Sequence, residues 1–280
     1  MRAARIHGYG GPAVIRIDEI EPPRPGPGEV LIHVTATSMN PTETAVRAGR
    51  FPIDLPFTLG WDVAGTVNGE PVIAMLESGA AAEYAIAPET ALVPAPVTIP
   101  LADAAALPLA GLTAWQAVFD HARITPGERV LINGAGGGIG TFALQLARHA
   151  GAHVIATASA RSRQTVHDLG AYEILDYTAG PLLLRDGPAD VVLNCAAIGP
   201  DEAAELTNLG NRIITVATPM PGGHHFVMRN NPADLAALAK LVDAGEIRPV
   251  ITDRRPLSDL AELHRRSEAG ALRGKVIVTL

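Results

Sequence analysis

One cysteine, Cys195, stands among 280 residues. A lone thiol forms no intrachain disulfide and supplies no multi-cysteine zinc cluster, which points to a reducing compartment. No basic run interrupts the scattered charges that sum to −7, so the field offers little attraction to a nucleic acid backbone or an anionic membrane. No segment approaches the ~18 consecutive apolar residues of a membrane span. The opening MRAARIHGYGGP lacks an apolar core of signal-peptide length. There is no internal repeat, and the glycines and prolines follow no triplet. These absences argue against a nucleic-acid-binding, membrane-spanning, secreted or fibrous protein. They set the expectation of a cytoplasmic one whose partners are small molecules.

What is present is an apolar content of 48%, enough to bury a full core, at a length that favours two domains. Up to about residue 95 the chain shows short β-rich runs at 14–17, 29–36, 61–67, 71–75 and 83–87, punctuated by turns. The prolines of segment 21–28 remove donors and fix φ, so an extended surface connection is expected there. From Thr125 the texture becomes strand, glycine turn, helix, and then the same alternation again, which marks a parallel sheet with crossover helices. Strands are expected at 129–133, 153–157, 190–194 and 212–216. Between the first two, Ile139, Phe142, Ala143, Leu146, Ala147 and Ala150 recur at helical spacing and Gly151 closes the helix. A helix over 232–243, a strand over 247–251, a helix over 258–268 and a strand over 275–280 complete the reading. The expected class is α/β, a doubly wound parallel sheet beside a mainly β domain.

The run from Val130 to Gly140 places Gly134, Gly137 and Gly140 three apart between strand and helix. It departs from the strict G-x-G-x-x-G spacing. It does the same work, because small residues let backbone N–H groups approach a pyrophosphate at a helix N-terminus. A site selective for NAD would carry an acid at the end of the second strand, for the ribose 2′-hydroxyl. Here that stretch reads TASARSR, 157–163, and Ser159, Arg161 and Arg163 offer donors to a 2′-phosphate. NADPH is the expected cofactor, with surface arginines that have no ligand as the alternative.

Several motifs together carry a resemblance: RIHGYGGP at 5–12, PGPGEV at 25–30, Asn40-Pro41, LGWDVAG at 59–65 and AALPLAGLTAW at 105–115. The glycine turn, LGA at 169–171, Asp176-Tyr177, LVDAGEIRPV at 241–250 and RGK at 273–275 extend it. Over nearly its whole length the chain resembles the zinc-free quinone oxidoreductase branch of the medium-chain dehydrogenase/reductase superfamily. The resemblance implies a GroES-like catalytic domain over 1–115, completed by 247–280, and a Rossmann NADPH-binding domain over 116–246, with the active site in the cleft between them. It also implies Asn40 and Thr113 near the nicotinamide and Gly137, Gly138 and Ile139 near the pyrophosphate. Ser159, Arg163 and Tyr177 fall near the adenosine phosphate, and Lys275 joins the cofactor-binding set. Zinc-dependent relatives hold metal with a cysteine and a His–Glu pair, where this chain has Asn40 and Gly60-Trp61-Asp62, so no metal is expected. His224 and His225, the only adjacent histidines, have no acid or cysteine cluster beside them and read as loop residues.

The implied reaction is hydride addition from NADPH to a quinone or an α,β-unsaturated carbonyl. The site would orient cofactor and acceptor and stabilise charge developing on oxygen. Two alternatives stay open: a biosynthetic tailoring enzyme acting on an imine or other intermediate, and a non-catalytic NADPH-binding protein. Thr44 and Ala45 stand where relatives carry bulky residues, which implies a pocket for large acceptors. The 67–72 connection and the 217–231 stretch are shorter than in relatives, and the second bears on a possible homodimer. Glu43 is read as a structural hydrogen-bond partner, and Cys195 as a packing residue rather than a nucleophile.

Overall fold

The computed structural model describes residues 1–280, which divide into two compact units. Unit 1 comprises Met1–Leu109, Asn230–Asp243 and Ile251–Leu280; unit 2 comprises Ala110–Arg229 and Ala244–Val250. The chain opens with β1 (Arg2–Ile6), β2 (Ile15–Glu19), β3 (Glu29–Ser38), α1 (Pro41–Arg47) and β4 (Phe57–Thr58). There follow β5 (Asp62–Val67), β6 (Glu70–Met75), β7 (Tyr84–Pro88), β8 (Val93–Pro94), α2 (Leu101–Ala104) and α3 (Pro108–Trp115). Unit 2 carries β9 (Arg129–Asn133), α4 (Gly138–His149), β10 (His153–Thr157), α5 (Arg163–Asp168) and β11 (Glu173–Leu175). It continues with β12 (Ala189–Asn194), α6 (Pro200–Thr207), β13 (Gly210–Thr215) and β14 (His224–His225). The last elements, α7 (Pro232–Asp243), β15 (Ile251–Pro256), α8 (Leu260–Glu268) and β16 (Lys275–Thr279), belong to unit 1.

Unit 1 is mostly antiparallel. One sheet has the order β2-β1-β4, and a seven-stranded sheet runs β15-β16-β3-β5-β6-β8 with β7 also paired to β3. Along β3 the apolar residues alternate, so Ile32, Val34 and Ala36 are buried while His33 and Thr35 face out. Ile32 and Val34 pack with Val63, Ala74 and Ala85 from the neighbouring strands. Asn68 and Gly69 join β5 to β6 with φ of 52° and 88°, the left-handed pair that a two-residue hairpin of this twist requires.

Unit 2 is a six-stranded, wholly parallel sheet in the order β11-β10-β9-β12-β13-β14. Its central strands are buried along most of their length, and Leu131, Ile155 and Val192 meet Leu206 of α6 in one cluster. Each such fully buried side chain contributes about 1.5–3 kcal/mol. The doubly wound α/β expectation therefore holds, and β9, β10 and α7 carry the expected bounds.

The strand expected at 247–251 is not there. Residues 247–250 are irregular and the strand begins at Ile251. Pro249 has no N–H for a ladder, and the side chain of Gln145 takes both backbone groups of Arg248, accepting its N–H at 2.9 Å and donating to its carbonyl at 3.0 Å. No helix is long and apolar enough to cross a membrane.

Helix α8 packs against α1 and buries His264 completely, with neither ring nitrogen hydrogen-bonded. Burial, reinforced by the charge of Arg47, pushes its imidazole down to about 3. The unfolded chain binds a proton at His264 below pH 6.5 and the folded chain does not, so this group removes stability as the pH falls from 6.5 towards 3. At pH 5 the loss is about 2 kcal/mol. We expect His264→Leu to abolish most of that loss, so that the change in melting temperature from parent to variant is more favourable at pH 5 than at pH 7; the same change at both pH values in calorimetry would contradict this.

Candidate functional site

In unit 2, β9 ends at Asn133 and the chain turns through Gly134 into α4, whose N-cap is Gly137 and whose first residue is Gly138. Ile139 is half-buried and Gly140 is buried. Gly140 cannot be anything larger: a Cβ there would lie 2.1 Å from the Gly134 carbonyl oxygen and 2.7 Å from Ala135 Cα. The helix starts this close to the strand because the side chain is missing. Its N-terminal N–H groups are thereby left at a wall made of backbone.

A polar ladder crosses the carboxyl ends of three adjacent strands. Gly134 N–H donates to Thr157 Oγ1 at 3.0 Å, and Thr157 Oγ1 donates to Asn133 Oδ1 at 2.8 Å. Asn133 Nδ2 then donates to Asn194 Oδ1 at 2.9 Å. Thr157, Asn133 and Asn194 are the last residues of β10, β9 and β12, so the ladder ties the turn to its neighbours on both sides. Beside it lies a cavity of about 300 Å³ lined by Asn133, Gly134, Thr157, Tyr177, Ala196 and Ile198, among others. Ser159 is half-buried, and its carbonyl accepts the N–H groups of Ser162 and Arg163 at 3.0 Å each. Arg161, Arg163 and Tyr177 are exposed. Thr113 is buried in α3, one helical turn ahead of a π-helical segment, Gln116–His121.

Unit 1 holds the other cluster. Asn40 is the N-cap of α1, Pro41 opens the helix, and the Glu43 carboxylate reaches back to accept the Asn40 N–H at 3.2 Å. The same Glu43 Oε1 also accepts, at 3.4 Å, from the Asn40 carboxamide. Its Nδ2 donates to Asp62 Oδ2 at 2.8 Å and to the Ser38 carbonyl at 3.2 Å, and its Oδ1 accepts from Lys275 Nζ at 2.6 Å. Lys275 also pairs with Asp62 at 3.4 Å, and Asp62 accepts from Ser38 Oγ and, at 2.7 Å, from the Leu109 N–H. Glu43 Oε2 accepts the N–H of Gly60, whose φ of 91° brings the chain against Ala81 so closely that a Cβ would sit 2.3 Å from its nitrogen. Asn40, Glu43, Asp62 and Lys275 are each at most 2% exposed. Burial, with help from the Asp62 charge, pushes the Glu43 carboxyl up to about 8 despite the opposing pull of Lys275.

Two family models match the chain. One, an alcohol dehydrogenase GroES-like domain, covers residues 26–97; the other, a zinc-binding dehydrogenase, covers residues 169–278. The quinone oxidoreductase QR1 of Triphysaria versicolor is 31% identical over 332 aligned positions, covering 99% of this chain and 98% of that protein. The chain belongs to the quinone oxidoreductase family of the medium-chain dehydrogenase/reductase superfamily. The NAD(P)H oxidoreductase RTN4IP1 of Mus musculus is 31% identical, over 91% of this chain and 82% of that one. A solved quinone oxidoreductase from Coxiella burnetii superposes with a TM-score of 0.92 at 28% identity, covering 100% and 99% of the two chains. Membership makes this protein an NAD(P)H-dependent oxidoreductase. The aligned length exceeds its 280 residues, so this member of the family is shortened internally relative to QR1.

The second family model carries zinc in its description, and the residues around Asn40 do not fit that metal. They offer one carboxamide and two carboxylates with no thiolate or imidazole, and the Lys275 ammonium already serves as the cation beside Asp62. A dinucleotide does fit unit 2, where Gly140 keeps the turn free of side-chain bulk. Lys275 lies in unit 1 against Asn40 and Met39, whereas the glycine turn, Ser159, Arg161, Arg163, Tyr177 and Thr113 lie in unit 2. His224 and His225, expected in a loop, instead form the edge strand β14, and they take different partners, His121 Nδ1 at 3.0 Å and Thr215 Oγ1 at 2.9 Å. Burial pushes the Cys195 thiol up to about 12, which leaves it protonated at neutral pH.

The sequence reading missed Ser38, Thr157, Asn133 and Asn194. The last three share one signal, a polar residue that follows three apolar ones at the end of a strand. We expect Gly140→Ala, which forces the turn off Gly134, to weaken NAD(P)H binding at least tenfold in a nicotinamide fluorescence titration. Binding within twofold of the parent would contradict the close-approach argument.

Proposed function

We propose that this enzyme uses NADPH to reduce a quinone or an α,β-unsaturated carbonyl compound, without zinc. The observation that carries the reading is the backbone-lined turn from Gly134 to Gly140, held by the Thr157–Asn133–Asn194 ladder. In this reading Gly134, Gly137, Gly138, Ile139 and Gly140 receive the pyrophosphate through backbone N–H groups. Ser159, Arg161 and Arg163 take the 2′-phosphate through hydroxyl and guanidinium donors, and Tyr177 offers its ring and hydroxyl to the adenosine.

Asn40 and Thr113 are assigned to the nicotinamide end. The Asn40 donor hydrogens already face Asp62, the Ser38 carbonyl and Glu43 Oε1. Its remaining capacity is the second lone pair of Oδ1, which suits an incoming amide N–H and not a substrate carbonyl. Bound, the reduced nicotinamide supplies a hydride; a proton from solvent completes the two-electron reduction to a quinol or a saturated ketone. Thr44, whose hydroxyl is turned back to the Pro41 carbonyl at 2.6 Å, and the small Ala45 support a preference for bulky, polycyclic acceptors.

The test is NADPH oxidation against benzoquinone, naphthoquinones, polycyclic quinones and simple enones, with NADH in parallel. Saturable turnover is expected, with NADPH preferred and the larger quinones favoured. The double substitution Arg161→Ala with Arg163→Ala is expected to cut the NADPH-over-NADH ratio of kcat/KM by about 10–100-fold, the worth of one or two charge-assisted hydrogen bonds. Tight NADPH binding with no turnover of any acceptor would overturn the reading in favour of a non-catalytic binding protein.

A further inference from the structure

An asparagine side chain has two ends of nearly the same shape and opposite hydrogen-bonding sign, so a half-turn about its last bond exchanges a donor for an acceptor. In this protein two buried charges favour one choice, alongside the Ser38 carbonyl and Glu43 Oε1, which also accept from Nδ2. Lys275 Nζ, which can only donate, lies 2.6 Å from Asn40 Oδ1; the Asp62 carboxylate, which can only accept, lies 2.8 Å from Nδ2. A flipped carboxamide would set N–H against ammonium and carbonyl against carboxylate.

Neither charge is free to move. Asp62 is held by Ser38 Oγ and the Leu109 N–H. Lys275 is the first residue of β16, whose pairing sets Ile277 opposite Ser38, while the Met39 N–H donates to the Val276 carbonyl at 3.0 Å. That register delivers the ammonium to Asn40 from 235 positions away.

We infer that Lys275, with Asp62 as its counter-charge, is the positioning residue that fixes which face of the Asn40 carboxamide is presented to the nicotinamide. The inference rests on the assignment of Asn40 to the nicotinamide end made above. It gives Lys275 a task separate from direct contact with the cofactor, and it gives Asp62 one that requires no metal.

Lys275→Met alone leaves a buried carboxylate without its cation and invites misfolding. The informative variant is therefore the double substitution Lys275→Met with Asp62→Asn, which removes both charges, compared with Lys275→Arg, which keeps both. Two readouts are needed on folded protein: kcat and KM for NADPH and acceptor, and the Asn40 side-chain amide pair in a 1H–15N spectrum, identified by its absence in Asn40→Ala.

The parent is expected to show one sharp, slowly exchanging pair. In the double variant its exchange should quicken at least tenfold and kcat should fall at least tenfold, while the NADPH dissociation constant stays within threefold. Lys275→Arg should recover part of kcat. An unchanged amide pair, or a changed pair with kcat intact, would overturn the inference. If the parent turned over no acceptor, the reductase reading would fall by itself, and the amide signals would still decide whether Lys275 orients Asn40.

Discussion

Two opposite charges buried side by side shape unit 1. Lys275 and Asp62 are at most 2% exposed, and removing one partner of such a pair costs about 3–5 kcal/mol because the other is stranded. The pair is retained within a tight arrangement: Lys275 arrives on β16, Asp62 opens β5, and β3 between them brings Ser38 and Asn40 to the same spot. Three strands and the start of α1 are thus joined through polar atoms, and the apolar cluster of Met39, Leu59, Leu260 and Val278 belongs to the same unit. Glu43, pushed up to about 8, adds little negative charge to this cluster at neutral pH, so the single ammonium balances the single full carboxylate.

Unit 2 solves a related problem with neutral groups. Its glycine turn is held by a threonine and two asparagines, each at the end of a strand. A charged side chain at those places would compete with a dinucleotide for the same N–H groups, whereas hydroxyl and amide groups stiffen the turn without adding a field. The two polar networks therefore differ in kind: one sets a carboxamide between two charges, and the other holds the turn with neutral groups alone, as the proposed dinucleotide site requires.

How much of this was legible depended on how local the determinant was. Arg129–Asn133, His153–Thr157 and Pro232–Asp243 could be bounded from the sequence because periodicity and the glycine or proline at their ends are read within a few residues. β15 could not, since its residues ITDRRP mostly face solvent and carry no alternation of apolar side chains. Its expected position at 247–251 gave way to a side-chain clamp by Gln145, more than a hundred residues away. The reading of Glu43 as a structural hydrogen-bond partner came from the family resemblance, and the structure supplies the local reason, since Glu43 stands three residues after the N-cap Asn40 and accepts its N–H. The link from Lys275 to Asn40 had no such local signal, because it is created by the register of β16 on β3.

The chain's membership in the quinone oxidoreductase family and the fit of its turn to a dinucleotide converge on one central claim, direct hydride transfer to an electron-poor carbon. The most direct test is deuterium tracing. The enzyme is given NADPH labelled with deuterium at nicotinamide C4, separately on each face, together with an enone, and the product is analysed by mass spectrometry and NMR. The account predicts one deuterium at the β-carbon from only one of the two labelled cofactors. Saturated product without label from either, or NADPH consumed with no reduced enone, would contradict it.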